Sequence, residues 1–210
     1  MPFIAQQVRA ARLHLQKSDP VMKSLLTKHG PFTAKAKTDR FGTLVSSIIS
    51  QQISTAAAST IKQRLHQAIM DRAGKKTLPS LSADDLLQFD LDSFRELGIS
   101  RQKATYLLDL ATKVSEGKLD LKKLGRLDDE QIIEQLIEVK GIGRWTAQMF
   151  LMFSMARLDV LPVDDLGIKN AVQRQYGLEE SPSPKQIEEI ATPWRPYATI
   201  ASWYLWRSLE

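Results

Sequence analysis

From Phe41 onward, apolar residues recur three and four positions apart. Phe41, Leu44, Val45, Ile48, Ile49 and Ile53 trace one stripe, the spacing that gathers side chains on a single face of an α-helix. Alternation with a period of two, bounded by turn residues, never extends beyond a few positions, so the pattern predicts an all-α chain. After Ser54 an alanine-rich helix is expected to run to about residue 73. The stretch GKKTLPSLSADDLL, with Gly74 and Pro79, reads as a connector leading into short helices over 83–89 and 92–97. Ser100 is placed to cap a helix reaching residue 116, with Ala104, Leu107, Leu108, Ala111 and Val114 on one face. Asp128 with Gln131, and Ser183 with Gln186, have the spacing of capping boxes and predict helices over 128–138 and 183–190. Helices over 144–156, 164–176 and 196–208 bring the expected total to about ten to twelve.

Composition narrows the chemistry. The 210 residues, 43% hydrophobic and 25% charged, suffice for a buried core. The absence of cysteine excludes disulfides, cysteine-ligated zinc, iron–sulfur clusters and thiol nucleophiles. An excess of 29 Lys and Arg over 24 Asp and Glu, net +5 with pI ≈ 9.4, suits a polyanionic partner without demanding one. No apolar run nears the ~18 residues of a membrane span, and the amino-terminal MPFIAQQVRAARLHLQ has no long apolar core, so a soluble intracellular protein is expected.

The most informative segment is LIEVKGIGRWTAQMF, where Lys140, Gly141, Ile142 and Gly143 join two helical patterns. Two glycines flanking one apolar residue let the backbone approach a ligand, and the following helix opens with unpaired N–H groups that favour an anion. Lys140 and Arg144 flank the turn, and Thr146 adds a hydroxyl in the first helical turn, so a nucleic-acid phosphate is the natural candidate. On the glycines alone, an ordinary packed αα-hairpin accounts for the pattern equally well. The segment resembles the helix-hairpin-helix element of the HhH-GPD DNA glycosylase superfamily. Other segments resemble that family in order along the chain: SSIISQQIST its wedge-bearing helix, GISRQKATYLLDLA the helix after it, VLPVDDLGIKNAV the segment holding its essential aspartate, and TPWRPYATIASWYLWRS its last helix.

The resemblance implies one glycosylase unit over 1–210 made of two helical subdomains, about 35–125 and 1–34 with 126–210, the hairpin (136–147) in the second and the active site in the cleft between them. Where the family's lyase branch carries a Schiff-base lysine, this chain has Trp145, so a monofunctional enzyme that uses water is implied. The remaining type is that of 3-methyladenine DNA glycosylase II, without the extra β domain of some members, excising alkylated purines such as 3-methyladenine and 7-methylguanine from double-stranded DNA. By the same resemblance Asp165 is the catalytic carboxylate and Asp164 an N-cap or supporting group; without the family, both read as helix caps. Trp145 and Trp194 are the expected base-pocket tryptophans. Met149 stands where some members place a tyrosine. Gln52 matches the DNA wedge, and Gln51 is expected to brace the loop. Lys140, Gly141, Gly143, Arg144, Thr146 and Lys169 are the expected DNA contacts. Trp203 and Trp206 read as packing residues, and His14, His29 and His66 as surface or packing residues.

The resemblance implies no required cofactor, but a structural Na+ or K+ on the carbonyl oxygens of Ile137, Val139 and Ile142. It implies a monomer acting on DNA and on no membrane, in the cytoplasm or nucleoid of a bacterium or in a nucleus. Two readings compete on the residues. One is a non-catalytic helix-hairpin-helix protein that binds damaged DNA, against which the retention of Asp165 with both tryptophans weighs. The other is a helical protein–protein scaffold.

Overall fold

Short polar side chains that accept a backbone N–H start most of the helices, and these caps decide where each begins. The computed structural model describes residues 3–74, 76–77 and 80–210, and among them there are twelve α-helices and no strand. They are α1 (Ala5–Ser18), α2 (Pro20–His29), α3 (Arg40–Ser50), α4 (Thr55–Ala73), α5 (Ala83–Leu87), α6 (Leu91–Glu96), α7 (Arg101–Ser115), α8 (Asp129–Ile137), α9 (Arg144–Phe153), α10 (Leu166–Tyr176), α11 (Pro184–Ala191) and α12 (Ala198–Arg207). Ser54, Ser100 and Asp128 cap α4, α7 and α8 as the spacing predicts, and Asp128–Gln131 and Ser183–Gln186 close full capping boxes. No helix among the described residues is long and apolar enough to cross a membrane.

The sequence pattern misses α1 and α2. In α1 only Ala11 and Leu15 are fully buried, too narrow a stripe to show as periodicity. α3 stops at Ser50, so Ile53, read as part of its stripe, stands 38% exposed in the turn that follows. Lys75, Leu78 and Pro79 of the predicted connector lie outside the described residues.

The chain divides into two compact units, 39–150 and 1–38 with 151–210. In the 39–150 unit α3 packs on α4, and α7 packs on α3, α5 and α6. The hairpin belongs to this unit, whereas the family-based expectation groups it with the chain termini. The physical reason is its seat on α7, where Asp109 Oδ2 accepts the Lys140 N–H at 2.9 Å.

In the other unit α1, α2, α10, α11 and α12 enclose an apolar core containing Leu15, Met22, Ile168, Ile187, Trp194, Ile200 and Tyr204. One buried carboxylate organises it. Asp19 Oδ1 caps α2 by accepting from the N–H groups of Val21 (2.8 Å) and Met22 (3.0 Å). Its Oδ2 accepts from the Tyr176 hydroxyl (2.6 Å) and the Trp194 indole N–H (2.9 Å). Burial, then the hydrogen bond to Asp19 and its charge, push the Tyr176 phenol far above its ordinary pKa. Asp19→Ala orphans all these donors at once. It is expected to lower stability by about 3 kcal/mol, read as a fall in the urea midpoint at unchanged slope.

Candidate functional site

The hairpin turn is shaped by what surrounds Gly141. Its φ is +80°, and a Cβ there would lie 2.1 Å from Cδ2 of Tyr106 on α7, so both backbone conformation and space require glycine. Ile142 is buried and its N–H donates to the Val139 carbonyl at 3.0 Å, which anchors the tip. Gly143 differs: a Cβ there would meet no protein atom within 4 Å, and the residue is exposed at the start of α9. The turn therefore offers its bare backbone outward at 143 while 141 faces inward. Burial pushes the Asp109 carboxyl up, but hydrogen bonds from Lys113 and the Lys140 N–H outweigh it and hold the group below its ordinary value.

The flanking side chains only partly match the expectation. Lys140 is exposed. Arg144 is engaged in a forked ion pair with Glu130 of α8, Nη1 donating to Oε2 at 2.9 Å and Nη2 to Oε1, so a phosphate has to displace a carboxylate to reach it. Thr146 is buried, which removes it as the surface hydroxyl of the predicted contact set. Trp145 is 49% exposed on the first turn of α9, and Met149 follows one turn later, half-buried.

The α3–α4 turn stands beside the hairpin in the same unit. Gln51 donates its side-chain N–H to the Gly141 carbonyl at 2.8 Å. Gln52 is exposed and adopts a left-handed φ of 56°. Lys103 of α7 donates from Nζ to the carbonyls of Ile49 (2.8 Å) and Gln51 (2.6 Å), and burial pushes its ammonium below the ordinary lysine value.

In the unit 1–38 with 151–210, Asp165 caps α10, its Oδ1 accepting the Ile168 N–H at 2.8 Å. The same oxygen accepts the indole N–H of Trp206 at 2.8 Å. Gly167 makes room: a Cβ there would fall 2.9 Å from Trp206 Cδ1 and 3.0 Å from Asp165 Oδ1. Trp206, read from sequence as packing, is thus a partner of the candidate carboxylate that sequence reasoning misses, and its sequence trace is a glycine two places after the aspartate. Asp164 is not the cap; it is exposed, with Oδ1 3.7 Å from Lys169 Nζ, which occupies that lysine with a carboxylate.

Trp194 does not belong to a base pocket. It is 0% exposed and packs in the core with its N–H on Asp19, leaving no ring face for a base. His14 Nε2 donates to the Pro193 carbonyl (2.9 Å), as a packing histidine does. Among the described residues no group of three or more His, Cys, Asp or Glu is placed to hold a metal ion.

The chain has relatives of known name, both by sequence and by fold. A putative DNA-3-methyladenine glycosylase of Bacillus subtilis, YfjP, is 33% identical over 171 residues, 81% of this chain but 59% of that protein. DNA-3-methyladenine glycosylase 1 of Schizosaccharomyces pombe is 31% identical over 209 residues, covering 98% of this chain and 89% of the relative. Among solved structures, the S. pombe glycosylase Mag1 in complex with abasic DNA has a TM-score of 0.80 at 29% identity, covering 95% of this chain and 96% of that one. A DNA-3-methyladenine glycosidase from Bacillus halodurans has a TM-score of 0.82 at 33% identity, covering 94% and 88%. The profile described as HhH-GPD superfamily base excision DNA repair protein matches residues 45–196, and by that match the chain belongs to the HhH-GPD superfamily.

Proposed function

We propose that this chain is a monofunctional DNA glycosylase of base excision repair that turns an alkylated purine out of duplex DNA and hydrolyses its N-glycosidic bond, acting as a monomer where the genome lies. The observation that carries the reading is Asp165, a carboxylate oriented by a helix N-terminus and an indole N–H converging on one oxygen. Relatives named DNA-3-methyladenine glycosylase support the substrate class.

Breaking the glycosidic bond builds positive charge on the sugar, and a carboxylate already fixed in place stabilises that charge without reorganising. The same carboxylate orients the attacking water. Alkylation at N3 or N7 makes the purine cationic, so the base leaves as a neutral molecule and needs no strong general acid. A half-exposed Trp145 offers a π face on which a cationic purine gains dispersion and cation–π attraction. Tryptophan has no amine, so no Schiff base forms at that position.

DNA is held, in this reading, by the bare backbone around Gly143 and by Lys140, with Arg144 exchanging Glu130 for phosphate. A monovalent cation on the carbonyls of Ile137, Val139 and Ile142 belongs to the same proposal. An uncharged all-oxygen set suits Na+ or K+, and Val139 O, although it accepts from Ile142, keeps a second lone pair. Such a cation adds positive charge at the turn.

Three outcomes are expected. First, incubation with alkylated duplex releases free purine, detected by chromatography, and leaves abasic sites intact until alkali is added; a covalent adduct trapped efficiently by borohydride overturns the monofunctional assignment. Second, Asp165→Asn keeps duplex affinity and slows single-turnover base release by roughly 10²–10⁴, Trp206→Phe slows it by about 10-fold, and Asp164→Asn changes it little; excision at the parent rate by Asp165→Asn removes the catalytic assignment. Third, if about five phosphates are neutralised, log K falls with log[salt] at a slope of about −4.5, a loss of roughly 500-fold between about 50 and 200 mM. Gly143→Val is expected to weaken damaged and undamaged duplexes alike, and unchanged affinity moves the phosphate contact elsewhere.

A further inference from the structure

Gln52 holds a backbone conformation that a residue bearing a Cβ adopts only when its surroundings enforce it. The enforcement comes from α7. Lys103 Nζ lies 2.8 Å from the Ile49 carbonyl and 2.6 Å from the Gln51 carbonyl, bridging the last turn of α3 and the residue immediately before Gln52. These carbonyls sit where a helix cannot satisfy its own acceptors, and a cation at a helix C-terminus is favoured by the helix dipole as well as by the hydrogen bonds. Lys103 is fixed in turn by its place in the first turn of α7, where its own N–H donates to the Ser100 hydroxyl at 3.4 Å. In the same turn, the Gln51 side-chain amide reaches the Gly141 carbonyl. The charge of Lys103 is thereby occupied by two carbonyls, which sets it apart from the exposed lysines that stay available to phosphate.

We propose that Lys103 is a positioning residue for base excision: by clamping the carbonyls of Ile49 and Gln51 it fixes the turn that presents Gln52 to the duplex. The inference rests on the reading of Gln52 as the wedge that fills the space left by the flipped base and pairs with its former partner. Lys103 touches neither DNA nor the reacting atoms; it acts through Gln52. A wedge that has first to find its conformation recovers less of the cost of unstacking, so loosening the clamp slows the flipping step and leaves bond cleavage alone.

The test uses the full chain and single-turnover excision of one alkylated purine, either paired or opposite an abasic site, where no partner base needs satisfying. Parent, Gln52→Ala, Lys103→Met, Lys103→Arg and the Gln52→Ala/Lys103→Met double variant are compared. Lys103→Met is expected to slow excision of the paired lesion by about 10-fold and to leave the lesion opposite an abasic site near the parent rate. Lys103→Arg, which keeps charge and donors, stays within about threefold of the parent. In the double variant Lys103→Met adds nothing to the loss from Gln52→Ala, because both act through one contact. The salt slope on undamaged duplex is unchanged in Lys103→Met, whereas a lost phosphate contact reduces it by about 1.

Equal losses on both substrates in Gln52→Ala overturn the wedge reading and the clamp with it. Wedge behaviour in Gln52→Ala, with Lys103→Met either matching the parent on the paired lesion or adding its full loss in the double variant, overturns the clamp alone. If Lys103→Met fails on both substrates through loss of folding, Lys103→Gln, which keeps one donor, decides. A loss confined to the paired lesion supports the clamp, and a uniform loss or none overturns it.

Discussion

A side chain at position 141 would overlap the ring of Tyr106, and from that close approach much of the hairpin's geometry follows. Because the turn sits directly on α7, the Lys140 N–H reaches Asp109, the tip residue Ile142 is buried, and Gly143 is left as the outward position. The hairpin is therefore not a free loop but a turn held by a ring, a carboxylate and a buried apolar side chain. Holding it costs the carboxylate part of its hydration, which Lys113 offsets by pairing with Asp109. The benefit is preorganisation: a backbone that binds without first being ordered loses less entropy on binding.

The same helix serves a second loop. Lys103, Tyr106 and Asp109 are spaced three apart on α7, and they touch in turn the end of α3, the Gly141 turn and the Lys140 N–H. Gln51 then joins the two loops directly through the Gly141 carbonyl. One rigid element thus sets the relation between the two turns, which loops pinned separately could not keep. Where a reaction requires a nucleotide to be moved out of the stack, a fixed spacing between the groups that hold the backbone and the group that fills the gap turns binding into a defined distortion.

Two aspartates in the terminal unit show how burial separates a carboxylate sealed in the core from one left accessible. Asp19 is buried, caps a helix and accepts from Tyr176 and Trp194 as well, so both of its oxygens are engaged in holding the core. Asp165 also caps a helix and accepts from the Ile168 N–H and the Trp206 indole, but it is partly exposed. Both carry a tryptophan N–H. The difference lies in access: a carboxylate sealed in an apolar core has no route to a substrate, whereas one at the surface end of a helix does.

What depends on neighbours a few positions apart is legible in the chain before it folds. Helix class, the caps at Ser54, Ser100, Asp128 and Ser183, and the Gly-Ile-Gly hairpin are local patterns, legible because i+3 and i+4 spacing and N-cap chemistry involve residues close in the chain. Family resemblance added Asp165, Trp145 and Gln52 as candidates. What the tertiary structure decided is which tryptophan does what. Trp194 and Trp206 lie in the same stretch of chain and have the same chemistry, yet one is sealed against Asp19, 175 positions away, and the other donates to Asp165, 41 positions away. Lys103 looks like any surface lysine until α3 brings the Ile49 and Gln51 carbonyls to it across more than fifty positions. Likewise Arg144 reads as a phosphate ligand until α8 places Glu130 against it. Such contacts carry no local periodicity, because they come from where packing happens to bring distant helices, and only the folded chain shows them.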